Sequence, residues 1–381
     1  MELTLDLPED DDDSMLLTPG GASAAAKASV LSSELKEGDV LKGQGGGEYV
    51  VSSGKPIGTG TSGKVYAGTV VGTGTAVAIK VIDRMEIDGR ADKIKQLTRK
   101  LNITRKLKHP NIINLLDIAF DEIRAMLVME MAHGGMLFDL VSAGTPLPEE
   151  RVRHLFKQMV SAMTYCHAKK IYHRDLKLEN VMISSDGNDV VKIADFGASK
   201  DASINSLPKT QVGTISYMAP EVTNVYKKDT DSSYGAGADV WSLGVILYVL
   251  MCCKYPFGFD GPKRFGGIQA HKVYENIRKG AEAVDFPETF SPELVELLKG
   301  IFTVRLPDPE QVAASEDDGA VVATAGEVPV RWTLGQIRAC AWLQAGTPYA
   351  PEVVEEELID EIVWCVPVDT HWPLAFVASI R

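Results

Sequence analysis

Positive charge is in short supply in this chain: 39 Lys and Arg stand against 52 Asp and Glu, a formal net charge of -13. That balance argues against general nucleic-acid binding, which needs a basic footprint. Cysteine is sparse as well. Of the five, Cys252 and Cys253 are adjacent and the others scattered, which is neither a metal-ligand spacing nor a disulfide framework. They read as reduced core or surface thiols. No uninterrupted apolar run reaches the roughly 18 residues of a membrane span, so no membrane partner is expected. The acidic opening MELTLDLPEDDDD lacks an apolar signal core and the Arg-rich composition of an organelle transit peptide. The expectation is cytoplasmic and/or nuclear residence.

What is present is ordinary globular composition, 45% hydrophobic and 24% charged, over 381 residues. That length suits two domains or one large two-lobed one. Residues 1–47 combine an Asp run, an Ala/Ser tract and the cluster GQGGG, which cannot bury enough apolar surface to offset ordering. This segment reads as a flexible tail. From Tyr49 the texture changes to short β-type runs: Tyr49 to Val51, Lys64 to Ala67 and Ala76 to Ile82. Between the first two lies GTGTSGKV, from Gly58 to Val65. Glycines at Gly58, Gly60 and Gly63 let the backbone approach phosphates, because no side chain blocks the N–H groups. In a dinucleotide-binding fold such glycines open a helix, but a strand follows them in this chain, so a hairpin lid is favoured. Lys80, in VAIK, then falls on the next strand, within reach of nucleotide phosphates.

The stretch from Ile171 to Asn180, IYHRDLKLEN, places an acid, a lysine and an amide within six residues. Phosphoryl transfer requires that set. Asp175 can take or orient the proton of a substrate hydroxyl, Lys177 can steady the transferring phosphate, and Asn180 can hold a magnesium ion. Asp195 follows the short strand Val190 to Ala194 and is the principal magnesium ligand expected, since carboxylate and amide oxygens suit a hard ion.

Taken in order, GTGTSGKV, VAIK, HRDLKLEN, Asp195-Phe196-Gly197 and Ala219-Pro220-Glu221 resemble the eukaryotic protein kinases. The activation segment, DASINSLPKTQVGTISYMAPE, is most similar to the plant stress-activated serine/threonine kinases related to the sucrose-nonfermenting kinase, with the calcium/calmodulin-dependent group next. The resemblance implies an α+β fold of two lobes, an antiparallel-sheet small lobe over 48–131 and a mainly helical large lobe over 132–343, with ATP and Mg2+ in the cleft. It implies nucleotide contacts from Ile57, Gly58, Gly60, Gly63, Val65, Ala78 and Lys80, and from the backbones of Glu130 and Ala132, with Met129 as gatekeeper. It also places Thr210 and Ser206 as phosphosites for an upstream activating kinase, with Arg174 able to hold the phosphorylated segment. Lys177 and Thr214 favour serine/threonine protein substrates. Asp239 is expected to support the HRD backbone, and Arg331 to pair with Glu221 as a buried frame. His167 and His173 read as structural.

The chain departs from the family pattern in places. Lys100 occupies the position of the small-lobe helix glutamate that pairs with the strand lysine, so Lys80 would face a like charge. Met136 replaces an acid that helps read substrate arginine in many relatives, with Glu179 as a second reader. These departures leave an alternative open: a pseudokinase or weakly active nucleotide-binding scaffold. Residues 305–330, rich in Asp, Glu, Ala and Gly, read as an inserted loop. Beyond 343 the pattern ends, and EVVEEELIDEIVW forms an acidic amphipathic helix by spacing. This 344–381 segment has two readings: an ordinary solvated helix, or a regulatory one with 352–364 docking in cis on the basic stretch 93–108.

Overall fold

The structure is a computed structural model that describes residues 34–60, 63–83, 101, 104–121, 123–184, 189–196, 214–223, 233–258, 267–306 and 329–346. The strands of the small lobe are β1 (Val40–Lys42), β2 (Glu48–Val51), β3 (Gly58–Gly60), β4 (Gly63–Val70), β5 (Ala76–Asp83), β6 (Leu115–Phe120) and β7 (Arg124–Glu130), with β-branched Val77, Ile79 and Val81 alternating along β5. They form one antiparallel sheet in the order β1-β2-β4-β5-β7-β6, with β3 folded back on β4. One face buries Tyr66, Val77, Ile79, Val81, Met126 and Val128 together with Leu35, Leu41, Tyr49 and Val51. Burial of such side chains contributes roughly 1.5–3 kcal/mol each, which holds the small lobe.

A second layer follows: α1 (Leu137–Ser142), α2 (Glu149–Ala168), the hairpin of β8 (Val181–Ile183) and β9 (Val191–Ile193), then α3 (Pro220–Thr223), α4 (Ser233–Cys252), α5 (Gly267–Lys279), α6 (Pro292–Ile301), α7 (Leu334–Ala339) and α8 (Ala341–Gln344). Apolar residues at helical spacing on α2, Val152, Leu155, Phe156, Met159 and Met163, face α4 and the β8–β9 hairpin. α4 is apolar all round, and its window Gly235–Cys252 has the mean hydropathy of a membrane span, 1.6. It is nevertheless the core of the large lobe, with 83% of that window buried. Trp241 stacks on Phe257 at 5.0 Å and meets the edge of Phe302 at 5.2 Å.

This is the two-lobed α+β architecture that the motifs imply. One boundary is corrected. Residues 34–47, expected to be tail, are folded: β1 pairs with β2, and Leu35 is 1% exposed in the sheet core. Residues 1–33 lie outside the described residues. The inserted loop enters and leaves at one point, because the Arg331 N–H donates to the Arg305 carbonyl at 2.7 Å. Residues 307–328 and 347–381 lie outside the description, as do most of 93–108 and any docking of 352–364.

Candidate active site

The glycine stretch forms the expected hairpin. Gly58 pairs with Val65, Thr59 with Lys64 and Gly60 with Gly63, and the Ile57 N–H donates to Val65 at 2.7 Å. Gly63 has a φ of +123°, and a Cβ there would sit 2.0 Å from the Val81 carbonyl oxygen. Only glycine fits the return of this lid. Register then carries Val65 opposite Lys80, and Ala78 opposite both Ala67 and Met129. The β5 strand thus brings Lys80 and Ala78 under the lid and beside the end of β7, where Met129, Glu130 and Ala132 continue into the large lobe.

Lys80 Nζ meets the Asp195 carboxylate at 3.3 and 3.4 Å, with the lysine side chain only 12% exposed. The small-lobe cation and the expected metal ligand are therefore brought together across the cleft. Lys100 lies outside the described residues, so the expected like-charge contact with Lys80 does too. Asp175 stands on the facing loop. Its carboxylate accepts from Lys177 Nζ at 2.8 Å and from Asn180 Nδ2 at 3.3 Å, while Asn180 Nδ2 also donates to the Asp175 carbonyl at 2.7 Å. The loop is tied to the Asp195 strand by the Ala194 N–H, which donates to the Asn180 carbonyl at 2.8 Å.

The backbone here is held under strain. Arg174 and Asp195 both have a φ of +64°, a region non-glycine residues adopt only where the surroundings over-determine them. Several groups supply that constraint. Asp239, fully buried on α4, accepts the N–H groups of His173 at 2.8 Å and Arg174 at 2.7 Å, and contacts His167 Nε2 at 2.9 Å. The His173 ring packs edge-on against Phe196 at 4.8 Å and hydrogen-bonds the Ala194 carbonyl at 3.0 Å. The Asn111 carbonyl accepts from Ile193 at 2.8 Å, and Ile113 donates back to Ile193 at 2.9 Å. Arg331, with no exposed surface, makes a two-pronged pair with Glu221 at 2.6 and 2.9 Å. Asp239 thus holds the backbone at His173 and Arg174, and Arg331 holds Glu221.

The donor set fits magnesium. Among the described residues no cluster of His, Cys, Asp or Glu side chains could hold a metal alone. Asp195 offers carboxylate oxygens, and Asn180, whose amide nitrogen is committed to Asp175, offers its amide oxygen. Two hard oxygen donors beside a phosphate site suit an ion that takes its remaining ligands from phosphates and water.

Other features were not legible. The Glu130 carboxylate binds Lys192 Nζ at 3.0 and 3.1 Å and the Asn114 N–H at 2.9 Å, tying the interlobe linker to the strand before Asp195. The Glu130 N–H donates to the Asn114 carbonyl at 3.0 Å, so only its carbonyl can serve an adenine edge. Glu179 lies beside Tyr217, whose hydroxyl is pushed well above its ordinary pKa by burial and by the Glu179 charge. Thr210, Ser206 and Gly197 fall outside the described residues.

The protein kinase domain model matches residues 51–308. The chain is 36% identical over 268 residues to CBL-interacting serine/threonine-protein kinase 16 of Arabidopsis thaliana, covering 68% of this chain and 53% of that protein. It is 37% identical over 262 residues to CBL-interacting serine/threonine-protein kinase 5 of the same plant, covering 68% and 54%. With putative CBL-interacting protein kinase 13 of Oryza sativa subsp. japonica the figures are 37% over 268 residues, 69% and 48%. The chain spans about half the length of these curated relatives.

Proposed function

Because this chain belongs to the protein kinase family, we propose that it transfers the γ-phosphoryl of ATP to serine or threonine hydroxyls of protein substrates in signalling. The observation that carries the reading is the contact of Lys80 with Asp195, and of Asp175 with Lys177 and Asn180 on a loop tied to the strand before Asp195.

Asp175 accepts the substrate hydroxyl hydrogen and points the oxygen lone pair at phosphorus. As the new O–P bond forms, the bond from phosphorus to the ADP oxygen breaks and the hydroxyl proton passes to the Asp175 carboxylate. Lys177 places positive charge beside that carboxylate, where it steadies the transferring group. Lys80 holds the nucleotide phosphates opposite, and Ala78 with Val65 encloses the adenine. Bound to Asp195 and Asn180, magnesium would neutralise charge on the phosphates. Catalysis of this kind is mostly positioning and electrostatics, which suits the strained, over-determined loops of the site.

Phosphorylation of Thr210 or Ser206 by an upstream kinase, read by Arg174, belongs to the same proposal, as do a regulatory protein partner and cytoplasmic or nuclear residence. The relatives' description as CBL-interacting kinases supports the regulatory partner. Cis docking of 352–364 on 93–108 is tested by deleting residues 352–381, with a change in activity or stability expected. No observation favours the scaffold alternative. The test of the main reading is incubation with magnesium-ATP and generic protein substrates, followed by phosphoamino-acid analysis. Phosphoserine or phosphothreonine made by the chain and lost in Asp175→Asn is the expected result; equal signal from both, or phosphotyrosine alone, overturns it.

A further inference from the structure

Residues 34–47 make contacts that no flexible spacer would make. Asp117 lies on β6 just past a register shift after Leu115, which leaves Leu116 42% exposed and Asp117 only 2% exposed. A bulge of this kind turns an apolar side chain out and an acid in. A carboxylate so buried is costly unless hydrogen-bonded, and the N-terminal segment supplies one of its bonds. Asp117 accepts from the Gly45 N–H at 2.9 Å, from the Tyr49 hydroxyl at 3.0 Å and from its neighbour Ile118 at 2.8 Å. The glycines of GQGGG are what allow this. A Cβ on Gly43 would sit 1.9 Å from Asp117 Oδ2, and one on Gly47 would sit 2.2 Å from the Tyr49 hydroxyl. Gly43 also bridges Ala119, and Gln44 donates to the Ile118 carbonyl at 2.9 Å. The segment therefore pairs with β2 on one side and β6 on the other, joining the two edges of the sheet.

Its leading end lies at the base of the glycine hairpin. Leu35 is buried in the sheet core, and a Cβ on Gly54, in the link from β2 to the hairpin, would meet the Glu37 backbone nitrogen at 3.4 Å. On the return strand the Glu34 carboxylate meets Lys64 Nζ at 2.5 Å, one residue past Gly63, while Arg124 donates to the Glu34 carbonyl at 3.0 Å. The exposed Glu34–Lys64 pair adds little stability by itself. It fixes where the strap ends, and the anchor lies at Asp117 and Leu35.

We infer that residues 34–47 are a strap that positions the nucleotide lid, braced against Gly54 in the link that enters the glycine hairpin and Lys64 on its return strand, and anchored by the Gly43–Gly47 turn on Asp117. The inference rests on the proposed ATP site. Lid residues such as Gly58 and Gly60 have no side chains to hold their place, so their position depends on the strands that feed them.

The test uses the full chain and two variants. Gly43→Val drives a side chain into Asp117, and Glu34→Gln removes the negative charge of the exposed bridge. Amide hydrogen exchange reads strap release, and titration calorimetry with a non-hydrolysable ATP analogue reads the lid without requiring catalysis. Gly43→Val should raise exchange across 34–47 and raise Kd about fivefold, with kcat at saturating ATP within about twofold. Glu34→Gln should raise Kd about twofold with 40–47 still protected. Unchanged exchange in Gly43→Val overturns the anchor, and a released strap with unchanged Kd overturns the positioning role. If Gly43→Val does not fold, Glu34→Gln decides: unchanged Kd in that variant overturns the brace. An unmodified chain that binds no analogue overturns the ATP reading and the strap with it, whereas equal binding by the unmodified and released chains overturns the strap alone.

Discussion

Asp239 takes the backbone N–H of Arg174 on Oδ1 at 2.7 Å, from a helix 65 residues further along the chain. Arg174 is held in a left-handed conformation directly beside Asp175, so this buried carboxylate fixes the geometry of the residue proposed to orient substrate. Asp239→Ala strands the N–H groups of His173 and Arg174 in the core. Equilibrium denaturation should show a loss of about 3–5 kcal/mol, the scale of breaking a buried charged network. A loss under about 1 kcal/mol, the scale of an ordinary exposed contact, would remove Asp239 from that role.

Arg331 is coupled to Glu221 in the same way, and it also donates to the carbonyls of Gly237 at 3.0 Å and Thr303 at 3.0 Å. Arg331→Met removes the guanidinium that pairs with Glu221 and should cost about 3–5 kcal/mol. Glu221→Leu in addition should cost much less than the sum of the single changes, because the pair leaves together. Additive losses in a double-mutant cycle would show that the two do not act as a unit.

His109 makes stability depend on pH. Its Nδ1 accepts the Asn111 N–H at 3.1 Å, and burial with the nearby Lys192 charge lowers its pKa to about 4. A folded pKa below the unfolded value means that the unfolded chain binds the proton more readily. The contribution is therefore whole above the unfolded pKa, about 6.5, and is lost as pH falls toward about 4. With partial exposure taken into account, the loss should be about 1–2 kcal/mol. His109→Gln should flatten that part of a stability-versus-pH curve, and an unchanged slope would reject the assignment.

Lys80 reaches Asp195 from the small lobe at 3.3 Å, which places a cation where phosphates are expected. Lys80→Met should lower kcat about 10²- to 10³-fold, the scale of losing one preorganised electrostatic contact. Thermal melting should move little, since Asp195, with its side chain 32% exposed, keeps contact with water when the lysine is gone. Full activity in this variant would mean that Lys80 does not touch the nucleotide.

Chemistry written in contiguous residues was legible in the sequence. IYHRDLKLEN carries Asp175, Lys177 and Asn180 on one loop, and VAIK fixes Lys80 to a strand by its own alternation. Asp239 and the Glu221–Arg331 pair entered through the resemblance; in the structure Asp239 accepts the His173 and Arg174 N–H groups and Arg331 pairs with Glu221. Features made by distant residues left no local trace. GQGGG has the composition of a spacer, yet its conformation is set by Asp117, which accepts from Gly45 across 72 residues of sequence. Asp117 in turn faces inward only because of a bulge, and a bulge leaves no mark in hydropathy alternation. The Glu130–Lys192 pair spans 62 residues and depends on how the interlobe linker meets β9. Spacing rules describe one element at a time, whereas these contacts depend on which elements end up adjacent.

The account turns on Asp175 as the group that orients the substrate hydroxyl. Steady-state kinetics of Asp175→Asn against the unmodified chain, with a serine peptide and varied magnesium-ATP, tests it most directly. The variant keeps the shape of the side chain and the bonds around Asn180 but loses the acceptor strength of a carboxylate. A fall in kcat of about 10²- to 10⁴-fold with the KM for ATP within about threefold is the predicted result. A kcat equal to that of the unmodified chain would contradict it.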